Sequence, residues 1–283
     1  MNPAKFPRRA GFASAVAMLL CCLTTAAQAS DYRVTYRGVF SLGQDMPIAD
    51  VAIASAAVSG ANLTQLMLEA SSERYPVVES LYPVRYRITS WLDADVGLVA
   101  FETFERTRDT RHRFYERDVS GQGMMRYDLL AGEGQDRVER LHRAPVASWA
   151  GERLFDRLAL LAQLRSRDLR VGQRFSLPVT NGRDRMRYDI SVESAASLML
   201  QGEQHATVKV RLDAWELDAR GRDKPAHRPA YIWLGDDRQR TPLMVEVRHP
   251  IGVFRAELVG ADRQLALAPN GFFAGAETRR ADR

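Results

Sequence analysis

Strict alternation of apolar and polar side chains recurs along this chain and is the feature that most narrows its fold. Tyr32, Val34 and Tyr36 alternate with Arg33, Thr35 and Arg37; Val84, Tyr86 and Ile88 with Arg85, Arg87 and Thr89; Val208, Val210 and Leu212 with Lys209, Arg211 and Asp213. A period of two sends successive side chains to opposite faces of a strand, so each run has one face for a core and one for water, as in antiparallel sheets. Further strand-like runs lie at about 51–58, 62–70, 97–106, 111–118, 124–129, 185–193, 230–234, 243–249 and 253–259. Turn formers separate them, among them Ser59-Gly60, Asn181-Gly182, Gly235 to Asp237 and Pro250 to Gly252. Such residues supply the backbone angles of tight hairpins. The expected fold is mainly β, a large curved antiparallel sheet or open barrel wound as a long meander.

One segment departs from period two. From Trp149 to about Arg165, the residues Leu154, Phe155, Leu158, Leu161 and Ala162 recur at helical spacing, with Ser148 placed to cap the start. This predicts one amphipathic helix, and with no second long helix to pack against, it has to lie on or inside the sheet. The stretch 214–229, with Gly221, Pro225 and Pro229 among charges, reads as a mobile loop.

The N-terminus has a different grammar. Lys5, Arg8 and Arg9 precede an apolar run over residues 12–23 and a small-residue end at Ala27-Gln28-Ala29. These are the three parts of a secretory signal peptide, with cleavage between Ala29 and Ser30. The apolar run is too short to cross a bilayer, which takes about 20 residues. The expected organisation is a signal peptide over 1–29, a single β-rich domain over 30–264 and a disordered tail over 265–283. The expected location is the periplasm, with no transmembrane segment in the mature chain.

Export changes what composition means. Both cysteines, Cys21 and Cys22, lie in the removed segment. The mature chain therefore has no disulfide, thiolate metal site or cysteine nucleophile. The full chain carries 40 Lys and Arg against 35 Asp and Glu, a formal charge of +5, and the signal takes three of those positive charges and no negative ones. What remains is too near neutral for a nucleic-acid footprint.

Catalytic signatures are sparse. There is no G-x-S-x-G elbow, phosphate-binding loop, H-E-x-x-H or dinucleotide-binding glycine motif. His112, His142, His205, His227 and His249 stand apart, none at metal-ligand spacing from another. Asp93-Ala94-Asp95-Val96-Gly97 resembles the start of a calcium loop but puts Val96 where a ligand belongs, so a hairpin turn is favoured. Asp236-Asp237 reads as a turn pair held by Arg238 or Arg240, and a hydrolase using it with a histidine is a distant alternative. No catalytic residue, metal ligand or cofactor is assigned.

The aromatic residues suggest a binding role. Trp91, Trp149 and Trp233, with Phe155 and Leu158, are the candidate lining of a cavity between the curved sheet and the helix, where a hydrophobic or lipid-like molecule would sit. Plain core filling is the competing reading of each. The alternative role is an envelope assembly or scaffolding protein acting through a protein partner. Its Arg106, Arg108, Arg111, Arg113 and Arg117 would meet an acidic surface.

Several local patterns occur together and in order: Leu81-Tyr82-Pro83-Val84, Tyr86-Arg87-Ile88, Trp91-Leu92-Asp93, the segment from Trp149, Val179-Thr180-Asn181-Gly182, Trp233 to Leu243, and Ile251 to Leu258. In these the chain resembles a family of exported bacterial proteins classed as a domain of unknown function (number 3108 in that series). The likeness runs from about Tyr32 to Val259; the Arg-rich stretch from Arg106 to Arg117 and the segment around Gly221 depart from it. It implies a β-rich envelope protein and carries over no catalytic residue.

Overall fold

The computed structural model describes residues 32–262 except 82, 107–109, 119–123, 132–137, 147–152, 183–184, 218–221 and 227. The signal region with Ala29 and Ser30, and the tail from 265, lie outside the described residues.

Alternation does build strands, in two successive meanders. The first comprises β1 (Tyr32–Ser41), β2 (Asp45–Ala57), β3 (Thr64–Ser71), β4 (Arg85–Leu92), β5 (Leu98–Arg106), β6 (Thr110–Arg117), β7 (Met124–Ala131) and β8 (Val138–Val146). The second comprises β9 (Arg174–Thr180), β10 (Arg185–Leu200), β11 (Glu203–Leu217), β12 (Asp223–Pro225), β13 (Ala230–Gly235), β14 (Pro242–His249) and β15 (Gly252–Asp262). Two helices are described, α1 (Pro76–Leu81) between β3 and β4, and α2 (Arg157–Ser166) between the meanders.

All fifteen strands join one antiparallel sheet. The last strand returns to the first: β15 pairs with β1, with Val34 opposite Ala261 and Phe40 opposite Phe254. The first and last strands therefore lie side by side in mid-sheet, and β8 and β9, neighbours in sequence, end the path on opposite sides. The sheet is a large open one, as alternation predicts.

One face of this sheet and α2 enclose the main core. Leu66, Ile88, Leu92, Phe101 and Tyr115 from the first meander meet Leu177, Ile190, Val210, Ile232 and Leu234 from the second, and Leu158, Ala159, Leu160 and Leu164 of α2 lie between them. Val34, Tyr36 and Ile53 extend the same face, with Leu161 of α2 packed against them.

The expected helix from Trp149 is corrected in its start. Helical residues begin at Arg157, because Asp156 takes an extended backbone and its carboxylate accepts the Ala159 amide at 2.7 Å as the N-cap. Leu154 and Phe155 match the helical spacing of Leu158 but reach the core from extended chain. Phe155 forms a parallel bridge with Val179, its amide donating to Pro178 at 3.0 Å and its carbonyl accepting from Thr180 at 2.7 Å. That bridge covers the free edge of β9, which an open sheet would otherwise expose. Ser148 and Trp149 lie outside the described residues.

The expected loop over 214–229 is also corrected. Ala214 to Leu217 continue β11, and β12 pairs with it through Trp215 opposite Pro225 and Leu217 opposite Asp223. Pro225 is tolerated because it ends a short peripheral strand. Among the described residues no helix is long and apolar enough to cross a membrane.

Candidate functional site

The candidate residues for an interior cavity do not converge. Phe155 and Leu158 meet in the main core. Trp91 is buried on the opposite face of β4, in a separate cluster with Ala100, Phe114, Tyr127 and Leu129. Parity explains it: Ile88 and Leu92 face α2, so Trp91 between them faces away with Arg85 and Arg87. Trp233 likewise points away from its core-facing neighbours Ile232 and Leu234, and Lys209 lies 5.4 Å from its ring centre. Trp149 lies outside the described residues. The space beneath α2 holds the helix's own side chains, Leu158, Ala159, Leu160 and Leu164, all buried.

Among the described residues one carboxyl side chain is buried in that core. Asp156, 2% exposed, accepts a hydrogen bond from Ser90, 0% exposed. Burial pushes its carboxyl above the ordinary range, against the opposing pull of Ser90 and of backbone amides at the helix start.

The other candidates are structural in their contacts. Asp93 caps the β4–β5 turn by accepting the Asp95 amide at 3.1 Å and that of Gly97 at 2.7 Å. Asp237 accepts the amides of Gln239 and Arg240, and Asp236 pairs with Arg240 at 2.7 Å, so both belong to the β13–β14 turn. His112 hydrogen-bonds Glu102 and packs edge-on to Phe104 at 5.7 Å. In the Arg-rich strand, Arg113 pairs with Asp128 at 3.3 Å and Arg117 with Asp93 at 3.6 Å; Arg108 lies outside the described residues. Among the described residues no three His, Cys, Asp or Glu side chains gather at metal-binding distance.

Among the described residues, open space is found on the face away from α2. A groove of about 640 Å³ crosses β1 to β5. Its floor includes the small side chains Thr35 and Ala52, while Arg33, Glu69, Arg87 and Phe104 stand around them. Register places these residues: Thr35 lies opposite Ala52, Ala52 opposite Glu69, Glu69 opposite Arg87 and Arg87 opposite Phe104. A transverse row with small residues on β1 and β2 beside long ones on β3 to β5 leaves a trough.

One end of the groove is braced by ion pairs. Arg85 binds Glu79 at 2.8 Å and Glu73 at 2.9 Å, and Arg74 binds Asp50 at 3.3 Å. Hydrogen bonds from Arg85 and then Ser72 hold the Glu79 carboxyl below its ordinary range. Tyr75 adds a 2.8 Å hydrogen bond to Asp50. Arg33, Arg87 and Glu69 are different: none has an ion-pair partner among the described residues, and Arg87 lies 5.8 Å from the ring centre of Phe104. The sequence signal for this site was a pair of small residues at outward positions, Thr35 between Arg33 and Arg37 and Ala52 next to Asp50 on the same face.

The family model for a protein of unknown function, DUF3108, matches residues 31–259. The chain belongs to this family. In the DUF3108 protein the match takes in the groove, α2 and all but the end of β15. Its fold is similar to the crystal structure of a β-barrel-like protein of the domain of unknown function DUF1849 from Brucella abortus. The TM-score is 0.55 at 8% identity, over 84% of this chain and 100% of that one. At that identity the likeness concerns the fold alone. A hypothetical protein of Chlamydia trachomatis aligns at TM-score 0.30 and 11% identity, over 84% of this chain and 93% of that one. No curated protein matches the chain.

Proposed function

We propose that this DUF3108 protein is a non-enzymatic binding protein of the cell envelope, exported to the periplasm by residues 1–29, and that it carries a hydrophobic or lipid-like molecule in the outer groove. The observation that carries this reading is the groove itself. At about 640 Å³ it falls in the range of small-molecule sites, and its wall combines Ala52, Phe104 and Val259 with charged side chains. An amphiphile matches such a mixed wall, whereas the interior is occupied by α2.

Native mass spectrometry of the mature protein, purified from periplasm without detergent, tests both parts. The expected species begins at Ser30 and carries a lipid-sized adduct, which Ala52→Trp loses by filling the groove. A chain that retains residues 1–29 in the cytoplasm contradicts export. An empty wild-type protein that also fails to take up added amphiphile contradicts the binding role.

One observation favours a second role, assembly through a protein partner. The edge of β8 away from β7 pairs with no described strand, and such an edge accepts an added strand. Photo-crosslinkers along β8 would capture a single partner in intact cells if this role holds, and none if it does not.

A further inference from the structure

We infer that the groove selects an anionic head group, a carboxylate or phosphodiester, through Arg33 and Arg87. This inference rests on the groove being the binding site. Its lining holds four arginines, Arg33, Arg74, Arg85 and Arg87, against three acids, Asp50, Glu69 and Glu73. Arg74 is paired with Asp50, and Arg85 with Glu73 and with Glu79 beside the groove. What remains is two guanidinium groups and one carboxylate, a local excess of one positive charge beside an Arg85 cluster that carries one carboxylate more than it needs.

Geometry keeps that excess available. Glu69 stands directly across from Arg87 in the β3–β4 register without closing an ion pair, and Arg87 instead lies beside Phe104. A guanidinium near an aromatic ring keeps its in-plane donors for other partners. Arg33 enters from β1, three strand spacings from β4 or roughly 14 Å across the sheet, so the two cations flank the trough. Each guanidinium by itself offers the planar fork that a carboxylate or phosphate accepts, so the head group has a candidate partner at either side of the trough. Val259, exposed at the margin, and Ala52 give an alkyl chain a place to lie.

Four probes sharing a dodecyl chain test this with the mature protein: dodecanoate, dodecyl phosphate, dodecylphosphocholine and dodecyl maltoside, each titrated at constant ionic strength. At least one of the two anions should bind about tenfold to a hundredfold more tightly than the maltoside, the effect of a charge-assisted hydrogen bond. Arg33→Gln and Arg87→Gln should each erase most of that preference, read as the ratio of anion to maltoside affinity. The ratio between the two anions identifies the head group, carboxylate or phosphate. Equal binding of all four probes, tightest binding of the phosphocholine, or an anion preference that survives both substitutions overturns the inference and leaves the groove as a binding site. Failure of every probe to bind removes the groove reading and this inference together.

Discussion

Ser90 donates a hydrogen bond to the Asp156 carboxylate in the middle of the core, and this contact ties β4 to the first turn of α2. Both side chains are fully enclosed, and Asp156 simultaneously caps the helix through the Ala159 amide. One carboxyl group thus fixes where the helix starts and which strand it meets.

Asp156 makes stability depend on pH in a defined direction. Its native pKa is raised by burial, so the folded state keeps the proton to higher pH than the unfolded chain does. Its contribution is fully present below the ordinary carboxylate pKa of about 4 and is lost as pH rises through the native value. Asp156→Asn keeps a capping side chain but removes the titration. Urea unfolding across that range should show the variant gaining stability relative to wild type as pH rises; a difference that stays constant would contradict the assignment.

Ser90→Ala leaves a buried carboxyl without its side-chain donor. The expected loss is about 1–3 kcal/mol. Far-ultraviolet circular dichroism at the native baseline should hardly change, because Ser90 has no role in the strand ladder beyond its backbone.

Gly182 is required twice over in the β9–β10 turn. Its φ is +87°, and a Cβ there would lie 2.3 Å from Cζ of Tyr115 across the core. Gly182→Ala should cost about 1–3 kcal/mol from backbone strain alone, with the collision in addition. Tyr115→Leu should recover part of the collision and none of the strain, which thermal unfolding of the single and double variants separates.

Trp91 is core on the far face of β4 and is not among the residues lining the outer groove. Trp91→Ala should cost about 3–5 kcal/mol while leaving amphiphile affinity unchanged in the folded fraction. A stable variant with lost affinity would return Trp91 to the site.

Alternation made the sheet legible because each strand keeps one buried face, and the runs around Tyr32, Tyr86 and Val208 fall inside β1, β4 and β11. Strand β9 was hidden by Pro178, and α1 by being a single short segment whose Pro76 starts it. The start of α2 misled because Leu154 and Phe155 point into the same core as Leu158 by a different backbone path. Residue parity already separated Trp91 from Leu92. The groove was the least legible feature, since it depends on Thr35, Ala52, Glu69 and Arg87 coming into one row from four strands, and a register across strands is a tertiary property.

The proposed ligand occupies the outer groove and not the space beneath α2. Methyl-labelled NMR of the mature protein titrated with dodecyl phosphate reads both places at once. The methyl groups of Thr35, Ala52 and Val259 should shift in proportion to occupancy while those of Leu158, Leu160 and Leu164 stay in place. Saturable shifts centred on the three leucines, with Thr35, Ala52 and Val259 unmoved, would contradict it.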